Sequence, residues 1–202
     1  MMEHKVFIEN FLSSRNPEQY IRDARNNGTL VKYFPRFAQL WGPEGDQDPF
    51  WHPEGNVFEH LCLVLRVLLG LESKANTVEL RLTALFHDIA KPLTQHRWPC
   101  GGISNKGHAE AGARIFRDEY VKLIGIDERL AKRVFEMIFW HDFIHTKPQD
   151  ASDEVVRIVL GLQTFDSLML FEQVDVRATT RKREEQDLAC GATEWLKLKD
   201  GI

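Results

Sequence analysis

Ala84-Leu85-Phe86-His87-Asp88-Ile89-Ala90-Lys91-Pro92 sets an imidazole and a carboxylate side by side in an otherwise apolar stretch. Both groups are costly to bury without partners. Their place where a core-facing surface should continue makes sense if a cation waits opposite. Further metal-competent residues lie on either side. His60 stands in an apolar segment upstream, His108 and His141 follow, and Asp175 interrupts a late apolar run.

The segments carrying these residues have helical periodicity. His60 shares a face with Val57, Val64 and Val67, and His87 follows Leu80 and Ala84 at inward spacing. His141 follows Val134 and Ile138 in the same way, and Asp175 follows Leu168 and Phe171. Helices are expected at about residues 6–12, 17–24, 56–71, 76–90, 108–124, 127–145, 152–160 and 164–183, with a final turn at 195–198. Residues 30–41 carry a broken apolar pattern around Pro35. Asn76 with Glu79 three residues on resembles a capping box, and Pro92 should end that helix. Residues 42–55 and 93–106, rich in Gly and Pro, read as loops. No repeat and no alternating strand pattern is visible, so the expected fold is all-α, a single-domain helical bundle.

Composition narrows the function classes. The chain has 202 residues, 43% hydrophobic and 28% charged, with net charge −4 and pI about 6.1. That describes an ordinary globular protein with no global basic field to draw it to nucleic acid. The amino-terminal residues lack a secretory layout, and the apolar run 61–71 is too short to span a bilayer. No membrane association is expected, and a cytoplasmic location is the default. Cys62, Cys100 and Cys190 are widely spaced and suggest neither a disulfide framework nor a thiolate zinc site.

A lone buried histidine is more often a hydrogen-bonded core residue than a ligand, and Asp175 alone could pair with Arg177 or a helix end. Four such residues on four core-facing stripes, plus the adjacent pair, weigh against coincidence. His60, His87, Asp88 and Asp175 would make one metal site. His108 and His141 are candidates for a second ion, with Asp88 bridging. Imidazole and carboxylate ligands without thiolates suit Ni, Mn, Co, Fe or Zn, as one or two divalent ions. Lys91 is read either as a solvated cation at a helix end or as an ammonium over a substrate phosphate. Asp142 and His145 could orient a ligand from outside or merely decorate a polar face. Asp46-Gln47-Asp48 reads as a solvated turn. Arg177, Arg181, Lys182 and Arg183 form a basic run, an ordinary solvated face or a contact for phosphates.

The order His, His-Asp, His, His, Asp resembles the HD-domain metal-dependent phosphohydrolases. A finer likeness rests on Trp51-His52-Pro53-Glu54 with His60 eight residues after His52, on Leu85-Phe86-His87-Asp88-Ile89-Ala90-Lys91, on Phe139-Trp140-His141-Asp142-Phe143-Ile144-His145-Thr146 and on Val174-Asp175-Val176-Arg177. Together these are similar to the carboxy-terminal HD domain of bacterial CCA-adding tRNA nucleotidyltransferases, over roughly residues 34–177. The nucleotidyltransferase head is absent, so CCA addition is not expected. The loop at 99–107 looks longer than in that family.

The resemblance implies an HD core at residues 51–183, preceded by a helical segment at 1–50 that packs on it and followed by a tail at 184–202. It implies a 2',3'-cyclic phosphodiesterase, 2'-nucleotidase or phosphatase acting on nucleotides or RNA 3' ends, with tRNA as a candidate partner. Carried over by resemblance, His60, His87, Asp88 and Asp175 would be the metal set. By their own positions, Asp88 and Lys91 would be catalytic, Lys91 and Arg177 would bind substrate phosphate, and Asp142 and His145 would stand behind the ligands. A bound cation would bring the pKa of its water toward about 7 and supply hydroxide at neutral pH. Two rival readings stay open. One is a free-nucleotide phosphohydrolase, the other a tRNA- or protein-binding module with a structural metal.

Overall fold

Local capping decides where several helices start. The computed structural model describes residues 2–71, 77–142 and 160–179. Helix α1 spans Met2–Ser13. Helix α2 spans Pro17–Asn26, capped by the Asn16 side chain accepting from Gln19 N, with Pro17 in the first turn. After α3 (Thr29–Tyr33) the chain tightens into 3-10 turns at Pro35–Trp41 and Pro43–Gly45, so the segment broken around Pro35 is two short elements. Asn56 Oδ1 accepts from Glu59 N and opens α4, Val57–Leu71.

Helix α5 runs Thr77–Phe86, not to Ala90. The bond from His87 N to Thr83 O is still helical, but Ile89 N reaches only to Phe86 O and Lys91 N to Asp88 O. The backbone therefore tightens at the His-Asp pair. Pro92 sits in the first turn of a new short helix, α6 (Lys91–Thr94), so it marks a start rather than a stop. The expected loop 93–106 contains a small antiparallel hairpin, β1 (His96–Arg97) with β2 (Ile103–Ser104). Two-residue strands are too short to show an alternating pattern.

Beyond it lie α7 (His108–Ile115), a π-helical turn at Phe116–Tyr120, α8 (Val121–Ile124), α9 (Glu128–Trp140) and α10 (Leu162–Ala178). The segment 108–124 is thus not one regular helix, and α10 starts and ends earlier than its periodicity suggested. Asp127 caps α9 by accepting from Leu130 N. The expected helix at 152–160 lies almost wholly outside the described residues, as do the start at Asn76 and the turn at 195–198.

The fold is all-α, with that hairpin as its only paired strands among the described residues. Helix α4 packs against α2, α5 and α10, while α9 packs against α5 and α7. Phe7, Phe11, Ile21 and Leu30 from the amino-terminal helices join Leu61, Phe86, Phe116 and Ile138 in one continuous apolar cluster. Gly112 lets α7 approach closely: a Cβ there would lie 3.2 Å from the His87 carbonyl oxygen. Among the described residues, no helix is long and apolar enough to cross a membrane.

Candidate metal centre

Five elements send histidines and carboxylates to one buried point. His60 comes from α4, His87 and Asp88 from the turn after α5, His108 from the start of α7, His141 from the end of α9 and Asp175 from α10. His60, His87, Asp88, His108 and His141 are each less than 9% exposed. Apolar packing has brought together groups that resist burial singly.

The nitrogens are oriented from behind. His87 Nδ1 lies 3.0 Å from Ala84 O, His108 Nδ1 2.8 Å from Asn105 O, and His141 Nδ1 2.7 Å from Ile138 O. A carbonyl can only accept, so each Nδ1 carries the proton and each Nε2 turns a lone pair inward. His108 Nε2 and His141 Nε2 meet at 3.0 Å. Two lone pairs at that distance repel unless a proton or a cation lies between them.

Asp88 spans the cluster. Its Oδ1 lies 3.3 Å from His108 Nε2 and 3.5 Å from His141 Nε2. Its Oδ2 lies 3.2 Å from His87 Nε2, 3.8 Å from His60 Nε2 and 2.8 Å from Lys91 Nζ. Neither Asp88 oxygen nor His87 Nε2 has an aligned hydrogen bond. Asp175 Oδ1 is 2.8 Å from His60 Nε2 and 3.8 Å from His87 Nε2. His60, His87 and Asp175 therefore form one group close enough to hold a cation, and Asp88, His108 and His141 form another. The chemistry of this donor set fits a divalent transition metal. Preformed, inward-facing Nε2 atoms with their Nδ1 atoms anchored are what such an ion requires.

Electrostatics follows the same geometry. Burial opposes charge on Asp88, but His87, Lys91, His108 and His141 hold its carboxyl well below the usual range. Burial pushes His87 down. Burial also works against a charged His60, yet Asp175 and Glu54 prevail and raise it to about 9.

Three residues that sequence reasoning did not place in the site help to build it. Glu54 Oε1 accepts from His60 Nδ1 and from His52 Nδ1, each at 2.8 Å. Burial alone would raise Glu54, but those two bonds hold it down at about 2. His52, Glu54 and His60 could also be read as a ligand group. With the Nδ1–H of each histidine given to one carboxylate oxygen, the triad orients His60 instead of binding a third ion. Gln47 Oε1 accepts from Lys91 Nζ at 2.8 Å. Asp46-Gln47-Asp48 is therefore not a solvated turn: Gln47 is buried, and Asp48 Oδ2 accepts from Ile103 N of the hairpin. The signal available in the sequence was the His-Pro-Glu stretch, two residues that titrate in a loop beside an apolar helix.

The remaining expected residues divide. Lys91 is 8% exposed and paired, which removes the reading as a solvated helix-end cation. Asp142, next to His141, adds to the fields that raise the latter against its burial. Arg177 is exposed, and two residues past Asp175 turns it about 200° around α10, off the face that carries Asp175. His145, Arg181, Lys182 and Arg183 lie outside the described residues.

The family model described as HD domain matches residues 57–160, just over half of the 202. The chain belongs to the HD-domain family. The matched span contains His60, His87, Asp88, Lys91, His108 and His141, while Asp175 joins them from beyond it. HD domains are metal-dependent phosphohydrolases that bind divalent ions, in keeping with the two clusters. No solved structure matches the chain.

Proposed function

We propose that this HD domain hydrolyses phosphate esters of nucleotides or RNA 3' ends, as a 2',3'-cyclic phosphodiesterase, 2'-nucleotidase or phosphatase. The observation that carries the reading is Asp88, buried with both oxygens directed at inward-facing imidazoles and one of them at an ammonium 2.8 Å away. His60, His87, Asp88 and Asp175 would hold one ion, and Asp88, His108 and His141 a second. Such an ion, when bound, would supply Lewis-acid polarisation of a phosphoryl oxygen and would acidify water.

The chain's own groups do the positioning. Gln47 and Asp88 fix Lys91 Nζ, which has a third proton to donate to a non-bridging phosphate oxygen. Glu54 fixes the ring of His60 and keeps Nε2 turned toward Asp175. Ala84, Asn105 and Ile138 carbonyls do the same for the other three rings. Support for the RNA-end preference is the similarity of residues 51–60 and of the other three quoted segments to the HD domain of CCA-adding enzymes.

A screen of phosphate esters against the purified chain, with Ni, Mn, Co, Fe and Zn in turn, tests this. Turnover of adenosine 2',3'-cyclic phosphate and 2'-monophosphate that a chelator abolishes is expected. Full metal content with no ester cleaved would return the chain to the class of binding modules.

A further inference from the structure

Among the described residues, Phe50 is 57% exposed, Trp51 45%, Trp98 51% and Leu93 52%. Large apolar side chains this open are normally scattered. These four are not. They belong to two loops and a short helix joined to each other and to the metal centre.

Asp48 makes the junction. Its Oδ1 accepts from Phe50 N, its carbonyl accepts from Trp51 N and His52 N, and its Oδ2 accepts from Ile103 N. The Phe50 and Trp51 rings pack edge to face, with centroids 4.7 Å apart. Across Asp48, Trp98 N donates to Gly102 O and Gly101 N to Trp98 O, closing the hairpin turn. A Cβ on Gly102 would lie 3.6 Å from Asp48 Oδ2 and 3.7 Å from Trp98 Cδ1, so both loops meet at that glycine. Gln95 Nε2 ties the same hairpin to the carbonyls of Glu44 and Asp46.

The loop at 43–56 faces two ways. Inward it sends Gln47 to Lys91 and Glu54 to His60. Outward it presents Phe50 and Trp51, the latter directly before His52, whose ring packs edge-on to His60 at 5.0 Å. Leu93 stands two residues past Lys91. A ligand whose anion reaches Lys91 would meet loops that also carry flat apolar side chains. A nucleotide has that combination of anion and flat ring, whereas a sugar phosphate has no aromatic face to stack.

We infer that Trp51 and Trp98, with Phe50 packed edge-on against Trp51, form an aromatic rim that stacks on the unpaired base of the nucleotide whose phosphate ester enters the metal centre. The inference rests on the phosphohydrolase reading and names the side chains that would hold the base of its nucleotide substrate. Stacking of a base on an aromatic side chain tolerates any base, so the rim selects for a base without selecting which.

Calorimetric titration of the metal-loaded full chain with adenosine 5'-monophosphate and with ribose 5-phosphate, which differ by the base, tests it. The nucleotide should bind roughly 10- to 100-fold more tightly. Trp51→Ala and Trp98→Ala should each remove much of that preference and leave ribose 5-phosphate binding and metal per chain unchanged. Trp51→Phe should keep most of it. Equal affinities in the wild type, or a preference that survives the double alanine variant, overturns the rim. So does a dimer that the double variant dissolves while the wild type shows no preference for the base, which would assign the patch to self-association. Base preference that depends on both tryptophans, in a protein that cleaves neither adenosine 2',3'-cyclic phosphate nor any other ester of the screen, supports the rim and sinks only the hydrolytic reading.

Discussion

Glu79 and Asp88 are carboxylates nine positions apart, both 2% exposed, and their surroundings differ in kind. Glu79 Oε2 accepts from Arg133 Nε of α9 at 2.6 Å and Oε1 from Ser167 Oγ of α10 at 2.5 Å. Its charge is matched by one guanidinium and its lone pairs are used. Asp88 faces four imidazole nitrogens and an ammonium, none at aligned hydrogen-bond geometry. A buried carboxylate closed by one cation and one hydroxyl joins helices. One ringed by convergent lone pairs waits for something smaller and more highly charged than a side chain. Partner geometry, not burial, separates a structural acid from a functional one.

Replacing each acid should break the comparison in opposite ways. Asp88→Ala should lower kcat/KM by about 1,000-fold or more, on the order of 4 kcal/mol. It should also reduce bound metal per chain. Metal should raise the Tm of the wild type and leave that of the variant unmoved, because only a state that binds is stabilised. An Asp88→Ala chain with full metal and full activity would place the chemistry elsewhere.

Glu79→Ala should instead cost folding stability, about 2–3 kcal/mol. Removing one partner of a buried pair costs about 3–5 kcal/mol when the other is fully buried. Arg133, with its side chain 22% exposed, can recover some hydration. Denaturant titration measures the loss, and kcat/KM per folded molecule should stay within about twofold. A chain that keeps its stability but loses its metal would erase the distinction.

Lys91 sharpens the comparison from the cation side. Lys91→Ala should lower turnover by about 10- to 1,000-fold, about 1.4–4 kcal/mol, with metal per chain unchanged. A charged ammonium has no lone pair to ligate with. Lys91→Arg should recover little of this. A planar fork cannot occupy a point already fixed between Gln47 and Asp88. Loss of metal in Lys91→Ala would make the residue a support for Asp88 instead of a partner for substrate.

The helices and the residues on them were legible because periodicity puts His60, His87, His141 and Asp175 on stripes that should be apolar. A polar residue on such a stripe announces itself. His108 was harder, since it opens α7 after Gly107 at φ 85°, with no stripe before it. Glu54, His52 and Gln47 were missed as parts of the site because an irregular loop has no period from which to infer direction. Their aim comes from the Asp48 turn and from the bridge between Asp46 and Asn56. The end of α5 at Phe86 was hidden for another reason: composition around the pair is helical, and the tightening appears only where α7 presses its Gly112 against the His87 carbonyl.

The smallest effect concerns a third acid, Glu18 of α2, where that helix packs on α4. There Glu59 pairs with Arg22 and Arg25, while Glu18 accepts from Arg66 and Arg22. Arg66 is 60% exposed, so the cluster is screened and its worth falls below about 1 kcal/mol for one pair. The bond from Arg66 is the largest influence on Glu18 and, with Arg22, holds its carboxyl below the unfolded value of 4.5 despite burial. A depressed carboxyl contributes stability above its unfolded pKa and loses it as pH falls through the folded pKa. Glu18→Gln should therefore lower Tm slightly at neutral pH. The gap from wild type should close as pH drops below about 4.5. Metal-free protein is the proper sample, since it separates this titration from that of the metal centre. The gap should also shrink in high salt, which screens exposed pairs more than buried ones. A gap that widens toward acid would mean that Glu18 is held protonated by its burial, and would move it from the class of Glu79 toward that of an uncompensated buried acid.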